Sequence, residues 1–449
     1  MRQTVATLAL LACAAAPAAA ASITDQDLVI SIGGVLQLRA EHNQAIQEGD
    51  TYNSFTGAQT ASAADSHYDT NTGAVGKADA MDFYARRLRL IFKATYQDVW
   101  RLNVTLNGDR ADQPRGAATA GNTTTNTSAS TRNVGVYQAF LARDFKDGSI
   151  IHTLQGGLDT AFFNRAGDLG PNTQTLLLNQ RATTQLLNPR GFGVAYRLTS
   201  PLVRFGIDIQ NNLGDDGTDN ALANDGMLYS GRVELTGPDD WAIPKWQEDF
   251  VGKPGHGWSL GLEAGYNHHD QLAALAENTY ATDFDGTGTA TTFTTGAAGA
   301  GQTAASTITQ GTLVYGADLL FHYDNLNALA EVRFARTAGE VAIGPTRFTG
   351  SYNSLIWLVQ AGYCFPAPAD TVLEPALRFT HIDINTRNHS ETAPFGTNDF
   401  GVSGQQYEVG LNWFINGHAN KLCLALTLWQ AEHGDSDATI VRLQHQFTF

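Results

Sequence analysis

Charge is scarce in this chain of 449 residues: Asp, Glu, Lys and Arg make up 16%, against about 25% in an average globular protein. Hydrophobic residues, at 43%, do not fill the gap; Gly (45 residues), Ala, Thr, Asn and Gln do. A disordered chain is poor in aromatics, and 22 Phe, 14 Tyr and 7 Trp exclude one. Three cysteines make no disulfide framework. No C-x-x-C or Cys/His cluster offers zinc a site, so Cys364 and Cys423 read as small apolar fillers. Basic residues number 28 against 44 acidic, giving −16 and a pI near 5.1, which excludes general nucleic-acid binding. Beyond the N-terminus no apolar run approaches the ~20 residues of a membrane-spanning helix.

Catalytic signatures are missing too. There is no G-x-S-x-G, H-E-x-x-H or phosphate-loop pattern, so neither an enzyme nor a cofactor is expected. His268-His269-Asp270 follows a strand pattern at the start of a long link and reads as solvated loop. Asp283-Phe284-Asp285-Gly286 lacks the third acidic ligand and the later Glu of a calcium loop, so no metal is expected.

The first residues read as a leader. Met1-Arg2, the uncharged stretch Thr4 to Ala16 and the small residues Pro17 to Ala21 form a secretory signal peptide, expected over residues 1–21. Leu10-Leu11-Ala12-Cys13 offers a lipoprotein site as the alternative. Residues 22–449 are expected to form one domain.

That domain is a succession of alternating segments. Half-buried strands alternate apolar and polar residues with period two. Val441, Leu443, His445, Phe447 and Phe449 share one face while Arg442, Gln444, Gln446 and Thr448 take the other. Leu88, Leu90, Phe92 and Tyr96 likewise oppose Arg87, Arg89, Lys93 and Thr95. Sixteen such segments are expected, at 28–40, 83–96, 99–108, 133–144, 150–159, 191–199, 202–210, 227–236, 257–267, 311–324, 327–336, 352–363, 370–383, 405–416, 420–432 and 438–449. Most approach the ~9–11 residues of a tilted bilayer-crossing strand.

The links add independent information. Odd-numbered links are mostly long (41–82, 109–132, 160–190, 211–226, 268–310, 337–351, 384–404) and even-numbered ones mostly short. A transmembrane barrel alternates in this way, with short periplasmic turns and long outer loops. The link 237–256, with Pro238, Trp241 and Trp246, and the short link 433–437 break the rule. Aromatics gather at segment ends, as interfacial girdles do. The fold expected is therefore all-β: a transmembrane antiparallel up-and-down β-barrel of about sixteen strands. Closure satisfies every backbone group in lipid, and sixteen strands leave an aqueous lumen that the polar faces would line.

With few basic residues, their placement matters. Arg39, Arg87, Arg89, Lys93, Arg101, Arg197 and Arg204 have inward parity, as do Arg333 and Arg378. Rings of Arg favour anions in a pore. Glu263, Glu331, Glu374 and Glu408 also point inward, so an unselective lumen stays open beside an anion-preferring one. The third outer link holds Leu176-Leu177-Leu178, Arg181 and Leu186-Leu187 at near-helical spacing. It is expected to fold into the lumen, with Arg165 and Arg181 at the constriction; packing over the rim or at a subunit contact is the alternative.

Four stretches carry a family resemblance: Ile32 to Arg39 (IGGVLQLR), Phe83 to Leu90 (FYARRLRL), Leu154 to Phe162 (LQGGLDTAF) and Tyr407 to Asn416 (YEVGLNWFIN). Together they resemble the phosphate-selective porin O and P family of diderm bacteria. The resemblance implies a homotrimer of sixteen-stranded barrels, an infolded third loop and anion passage along lumenal arginines. Onto it map Arg39, Arg86, Arg87 and Arg89, although Arg86 has outward parity and no lysine-rich funnel accompanies them. The function expected is an outer-membrane porin, a passive water-filled channel for small hydrophilic solutes, with outer-membrane lipid and solutes or anions as partners. An outer-membrane barrel enzyme or an adhesive, structural barrel with partner-binding loops is the alternative.

Overall fold

The computed structural model describes residues 21–25, 27–45, 51–53, 59–60, 75–77, 81–108, 135–163, 165, 190–211, 227–237, 255–272, 280–282, 291–293, 306–343, 346–383, 404–431 and 438–449. Sixteen long strands form its one large sheet. The first half comprises β1 (Leu28–Ala45), β2 (Met81–Tyr96), β3 (Trp100–Asn107), β4 (Gly135–Asp147), β5 (Ile150–Thr160), β6 (Arg190–Thr199), β7 (Val203–Asn211) and β8 (Met227–Gly237). The second half comprises β9 (His256–Leu272), β10 (Ser306–Tyr323), β11 (Leu326–Ile343), β12 (Thr346–Tyr363), β13 (Thr371–Asp383), β14 (Gly404–Asn416), β15 (Asn420–Ala431) and β16 (Ala438–Thr448). Each pairs antiparallel with the next, and β16 pairs back onto β1, closing the barrel. Every expected segment corresponds to one of these strands.

The seam of closure explains a glycine pair. Gly34 N donates to Phe449 O (2.7 Å) and Phe449 N donates to Gly34 O (3.0 Å), so the chain's last residue is hydrogen-bonded into the first strand. A Cβ on Gly34 would lie 2.6 Å from the Phe449 ring and 2.8 Å from Arg89 O. Only a residue without a side chain lets the C-terminal ring cross here.

Outward positions are apolar and exposed, among them Leu88, Leu102, Leu262, Leu319, Leu377, Val409 and Leu426. Inward neighbours one residue along are polar and buried, such as Glu263, Asp318, Arg378, Glu408 and Thr427. This inverts a soluble sandwich, whose apolar face is the hidden one, and it matches a strand wall between lipid and a polar interior.

Three details depart from expectation. The link 337–351 is not a long loop: β11 and β12 run to Ile343 and from Thr346, paired throughout. The sequence from 337 to 351 does not alternate, so periodicity alone does not reveal this extension. His268, His269 and Asp270 likewise continue β9, paired with Gly311, Gln310 and Thr309 of β10, rather than opening a loop. Arg86 has no outward place in the ladder: the register shifts so that Gln37 faces Arg87 while Leu38 faces Ala85. Arg86 is the extra residue of a bulge, a device that re-aims side chains. The bulk of the link 237–256 lies outside the described residues, as do residues 1–20, Asp283 to Asp285 and the short outer link at 433–437.

Leu426 sits outward near the middle of β15, paired with Val409 and Val441. Leu426→Arg is expected to cost about 2–4 kcal/mol of folding stability in a bilayer, measured by equilibrium denaturant unfolding in lipid vesicles. A cost under about 0.5 kcal/mol, the level of a neutral surface site, would place Leu426 away from lipid.

Candidate functional site

The chain turns into the lumen as soon as β5 ends. Ala161, Phe162, Phe163 and Arg165 are all buried. The Phe162 amide donates to Asp208 Oδ2 (3.2 Å). Its ring lies under three guanidinium groups, with Arg204 at 4.5 Å, Arg197 at 5.5 Å and Arg232 at 5.7 Å from the centroid. Such contacts pair the negative ring face with cations. Phe163 enters an apolar cluster with Ala161, Leu228 of β8, Val314 of β10 and Ala335 of β11. These three wall residues have inward parity, an apolar seat in an otherwise polar wall.

Arg165 fixes the segment to that wall. Its Nη1 donates to Glu234 Oε1 (3.0 Å), its Nε to Asp318 Oδ1 (2.9 Å) and its Nη2 to the Ser259 hydroxyl (2.6 Å). One side chain thereby ties the third loop to β8, β9 and β10. The acceptors belong to a wider ion-pair lattice. Arg232 Nη1 lies 2.7 Å from Glu263 Oε2 and 2.5 Å from Asp318 Oδ2, and Arg333 Nε is 2.6 Å from Glu263 Oε1. Arg333 also pairs with Glu331, and Arg204 Nη1 approaches Glu234 Oε2 at 3.8 Å.

Register explains why these groups meet. Cross-strand partners form the row Arg204–Glu234–Gly261–Asp318–Glu331, and two residues along lies the row Arg232–Glu263–Gly316–Arg333. Asp318 and Glu331 face each other directly, an unfavourable pairing of like charges. It is offset because Arg165, Arg232 and Arg333 bridge them. The two glycines leave room for guanidinium groups to lie flat. A Cβ at Gly261 would touch the Arg232 guanidinium and come within 2.5 Å of Asp318 Oδ2; one at Gly316 would lie 2.8 Å from Arg333 Cγ. Arg165, Arg204, Arg232 and Arg333 balance Glu234, Glu263, Asp318 and Glu331 one for one.

The wall from β12 to β16 is sealed in the same manner. Arg378 Nη2 donates to Glu408 Oε2 (2.9 Å), Asn412 Nδ2 to Glu374 Oε2 (2.9 Å) and Lys421 Nζ to His418 Nδ1 (3.1 Å). Inward polar residues here are buried by one another, whereas the sequence reading had every polar face wetted. Mutual charge and amide pairing is what covers them.

The remaining inner wall differs. From β2 to β6 most inward polar side chains stay half-buried or exposed, Lys93 and Arg101 among them, while Thr105 and Thr153 are buried. Arg39 donates to Gln444 Oε1 from Nε (3.1 Å) and Nη2 (2.8 Å), and Arg87 Nη1 donates to Gln37 Oε1 (2.7 Å). Arg89 lies 3.7 Å from the centroid of Tyr137, itself the extra residue of a second bulge, between β3 and β4. Arg101 Nη2 reaches Asp144 Oδ1 (2.8 Å), and Arg197 grips Asp208 at both oxygens (2.6 and 2.9 Å). Arg101, Arg197 and Arg204 line one cavity of about 370 Å³ beneath Phe162. Arg181, Leu176 to Leu178 and Leu186-Leu187 lie outside the described residues. The loop's visible anchors are instead Phe162, Phe163 and Arg165. Of these, the aromatic doublet was the missed signal: two Phe directly after a Gly-rich strand, at the point where the chain leaves the wall.

Neither a known protein-family model nor a curated protein sequence matches this chain. Solved structures do. Outer-membrane expressed OmpT of Vibrio cholerae aligns over 96% of this chain and 100% of its own, at a TM-score of 0.50 and 10% identity. OmpF of Salmonella typhi in complex with daunomycin aligns over 95% and 100% (TM-score 0.47, 12% identity), and an anion-selective porin from Comamonas acidovorans over 94% and 100% (0.44, 10%). The first of these likenesses supports the fold: a closed antiparallel barrel of sixteen strands, of the outer-membrane kind. The likeness to the phosphate-selective porins stays with the four short stretches that carry it.

Arg165→Met removes the guanidinium and leaves Glu234 and Asp318 buried with fewer counter-charges. Losing one partner of such a lattice is expected to cost about 3–5 kcal/mol and to release the third loop. Limited proteolysis of vesicle-inserted protein reads the release directly: the variant should be cut after residue 163 faster than the parent. Equal cutting rates would mean that Arg165 does not hold the loop.

Proposed function

We propose that this protein is an outer-membrane porin, a passive aqueous channel for small hydrophilic solutes. The observation that carries the reading is the division of the inner wall. One side, β8 to β16, is closed by paired charges and by the infolded segment. The other, β2 to β6, keeps most of its inward polar side chains, and all its inward charged ones among the described residues, in contact with solvent. A protein that used its lumen as packed core would bury both sides.

The charges on the wetted side favour anions. Among the described inward side chains of β1 to β7 that solvent reaches, Arg39, Arg87, Arg89, Lys93 and Arg101 stand against Asp144 and Asp159, while Arg197 and Arg204 are matched by the buried Asp208 and Glu234. Fixed guanidinium groups beside a narrow aqueous path lower the barrier for anions and raise it for cations. Arg86, at its bulge among them, joins the same set. Phosphate as a preferred solute and a trimeric assembly rest on the family resemblance; the leader at 1–21 rests on its basic start, apolar stretch and small residues, and the outer-membrane location follows from it together with the barrel.

Purified protein in a planar bilayer should give steady ohmic single-channel steps. In a tenfold KCl gradient its reversal potential should have the sign of chloride selectivity. Arg87→Gln with Arg89→Gln should move that potential toward zero without abolishing the steps. Absence of steps would reject the porin; steps with a cation-selective potential would reject the role given to the arginines.

A further inference from the structure

The cavity under Phe162 has more structure than a passage needs. It is bounded by β3 to β7 on the wall side and by Ala161-Phe162 above. Its volume of about 370 Å³ falls within the ~300–1,000 Å³ of small-molecule sites. Three chemistries converge on it.

The first is a positive pole. Arg101, Arg197 and Arg204 face it from β3, β6 and β7. Arg197 is held by Asp208 through both terminal nitrogens, so it contributes little net charge. Arg101 spends Nη2 on Asp144 and Thr153 (2.8 and 3.5 Å) and is the most solvent-exposed of the three, leaving Nε and Nη1 to a ligand. Nε–H and Nη1–H point to different edges of the guanidinium, so a carboxylate takes a single charge-assisted hydrogen bond from one of them.

The second is a band of hydrogen-bonding groups, Asn103, Gln138, Thr153 and Gln155, with the Asp159 carboxylate among them. Asn103 Nδ2 donates to Gln138 Oε1 at 3.4 Å, and Asn103 Oδ1 is buried with no donor among the described residues. Gln138 and Gln155 turn their amides onto Asp159 (2.7 and 2.5 Å), which fixes their orientation before any solute arrives. The third is a pair of rings, Phe140 and Phe162, in the same lining; Phe162 is buried under its guanidinium neighbours, so Phe140 is the ring more open to a solute.

We infer that this cavity binds polyhydroxylated monocarboxylates, the sugar acids, with the carboxylate on Arg101, hydroxyls on the Asn103–Gln138–Gln155 band and the C–H groups of the ring against Phe140. Inorganic phosphate and short fatty acids satisfy the arginine alone. Neutral sugars satisfy the amides and the rings but leave the positive pole without its counter-charge. The inference deepens the diffusion-channel reading and rests on it for the route by which a solute arrives.

Isothermal titration of the full-length protein in detergent micelles tests it with four probes: glucuronate, glucose, acetate and inorganic phosphate. Glucuronate should bind saturably, and each other probe at least about tenfold more weakly. Arg101→Gln should weaken glucuronate about tenfold, the loss of one charged hydrogen-bond partner. Asn103→Leu should weaken glucuronate while leaving acetate unchanged, which separates recognition of hydroxyls from attraction of any anion. Acetate or phosphate binding as tightly as glucuronate would reduce the cavity to an unspecific anion site and overturn the inference. So would the absence of saturable glucuronate binding in a protein that conducts. Failure to conduct, with glucuronate still bound, would instead remove the porin reading and leave the binding site standing.

Discussion

Inside hydrocarbon no water is at hand to hydrogen-bond an amide, so each backbone N–H and C=O of a spanning segment must find its partner within the protein. That requirement is met only when the first strand pairs with the last, and the rest of the structure depends on that pairing. It accounts for Gly34 at the seam, where the terminal Phe449 exchanges both its backbone hydrogen bonds. It also fixes the parity of every strand, because a slip of one residue would turn lipid-facing Leu424, Leu426 and Leu428 into the lumen and bring Lys421, Cys423 and Thr427 out to lipid.

With parity fixed, the inner wall inherits the problem of charges at close quarters. Burying an ion is unfavourable unless opposite charges and hydrogen bonds surround it. On β8 to β11 the answer is a lattice in which carboxylates and guanidinium groups alternate between neighbouring rows, floored by glycines. Arg165 supplies the cation that this wall lacks by itself. Loop and wall are thus complementary in charge, through Arg165, and in shape, through Phe163 on Leu228, Val314 and Ala335. The division of the lumen into a sealed and a wetted side follows from where that one segment lands.

Much of this was legible in the sequence. Alternation marked all sixteen strands, because each separates two unlike environments for its whole membrane span. It failed from Thr337 to Ser351, where the two strands stay paired although their residues do not alternate. Parity also placed Arg39, Arg87, Arg89, Lys93, Arg101, Arg197 and Arg204 on the inner wall. Parity could not place Arg86, since a bulge consumes a residue without changing the composition around it. Inward-pointing Glu263 and Glu331 were visible as well. That they would be buried in ion pairs with Arg232 and Arg333 was not, because it depends on cross-strand register between segments up to about a hundred residues apart. Arg165 was singled out as lumenal, but the reason for the infolding lay in Phe162 and Phe163, which resemble interfacial aromatics when read along the chain.

The central claim is that each strand separates acyl chains from a polar interior, residue by residue. Strand β14 offers the cleanest test. Single cysteines can be placed in turn from Gln405 to Phe414, in a protein whose Cys364 and Cys423 are replaced by Ala, and labelled with a small fluorophore in vesicles. Quenching by lipids brominated on their acyl chains should then rise at Tyr407, Val409, Leu411 and Trp413 and fall at Gln406, Glu408, Gly410 and Asn412. Quenching that is uniform along the segment, or strongest at Glu408 and Asn412, would contradict the account.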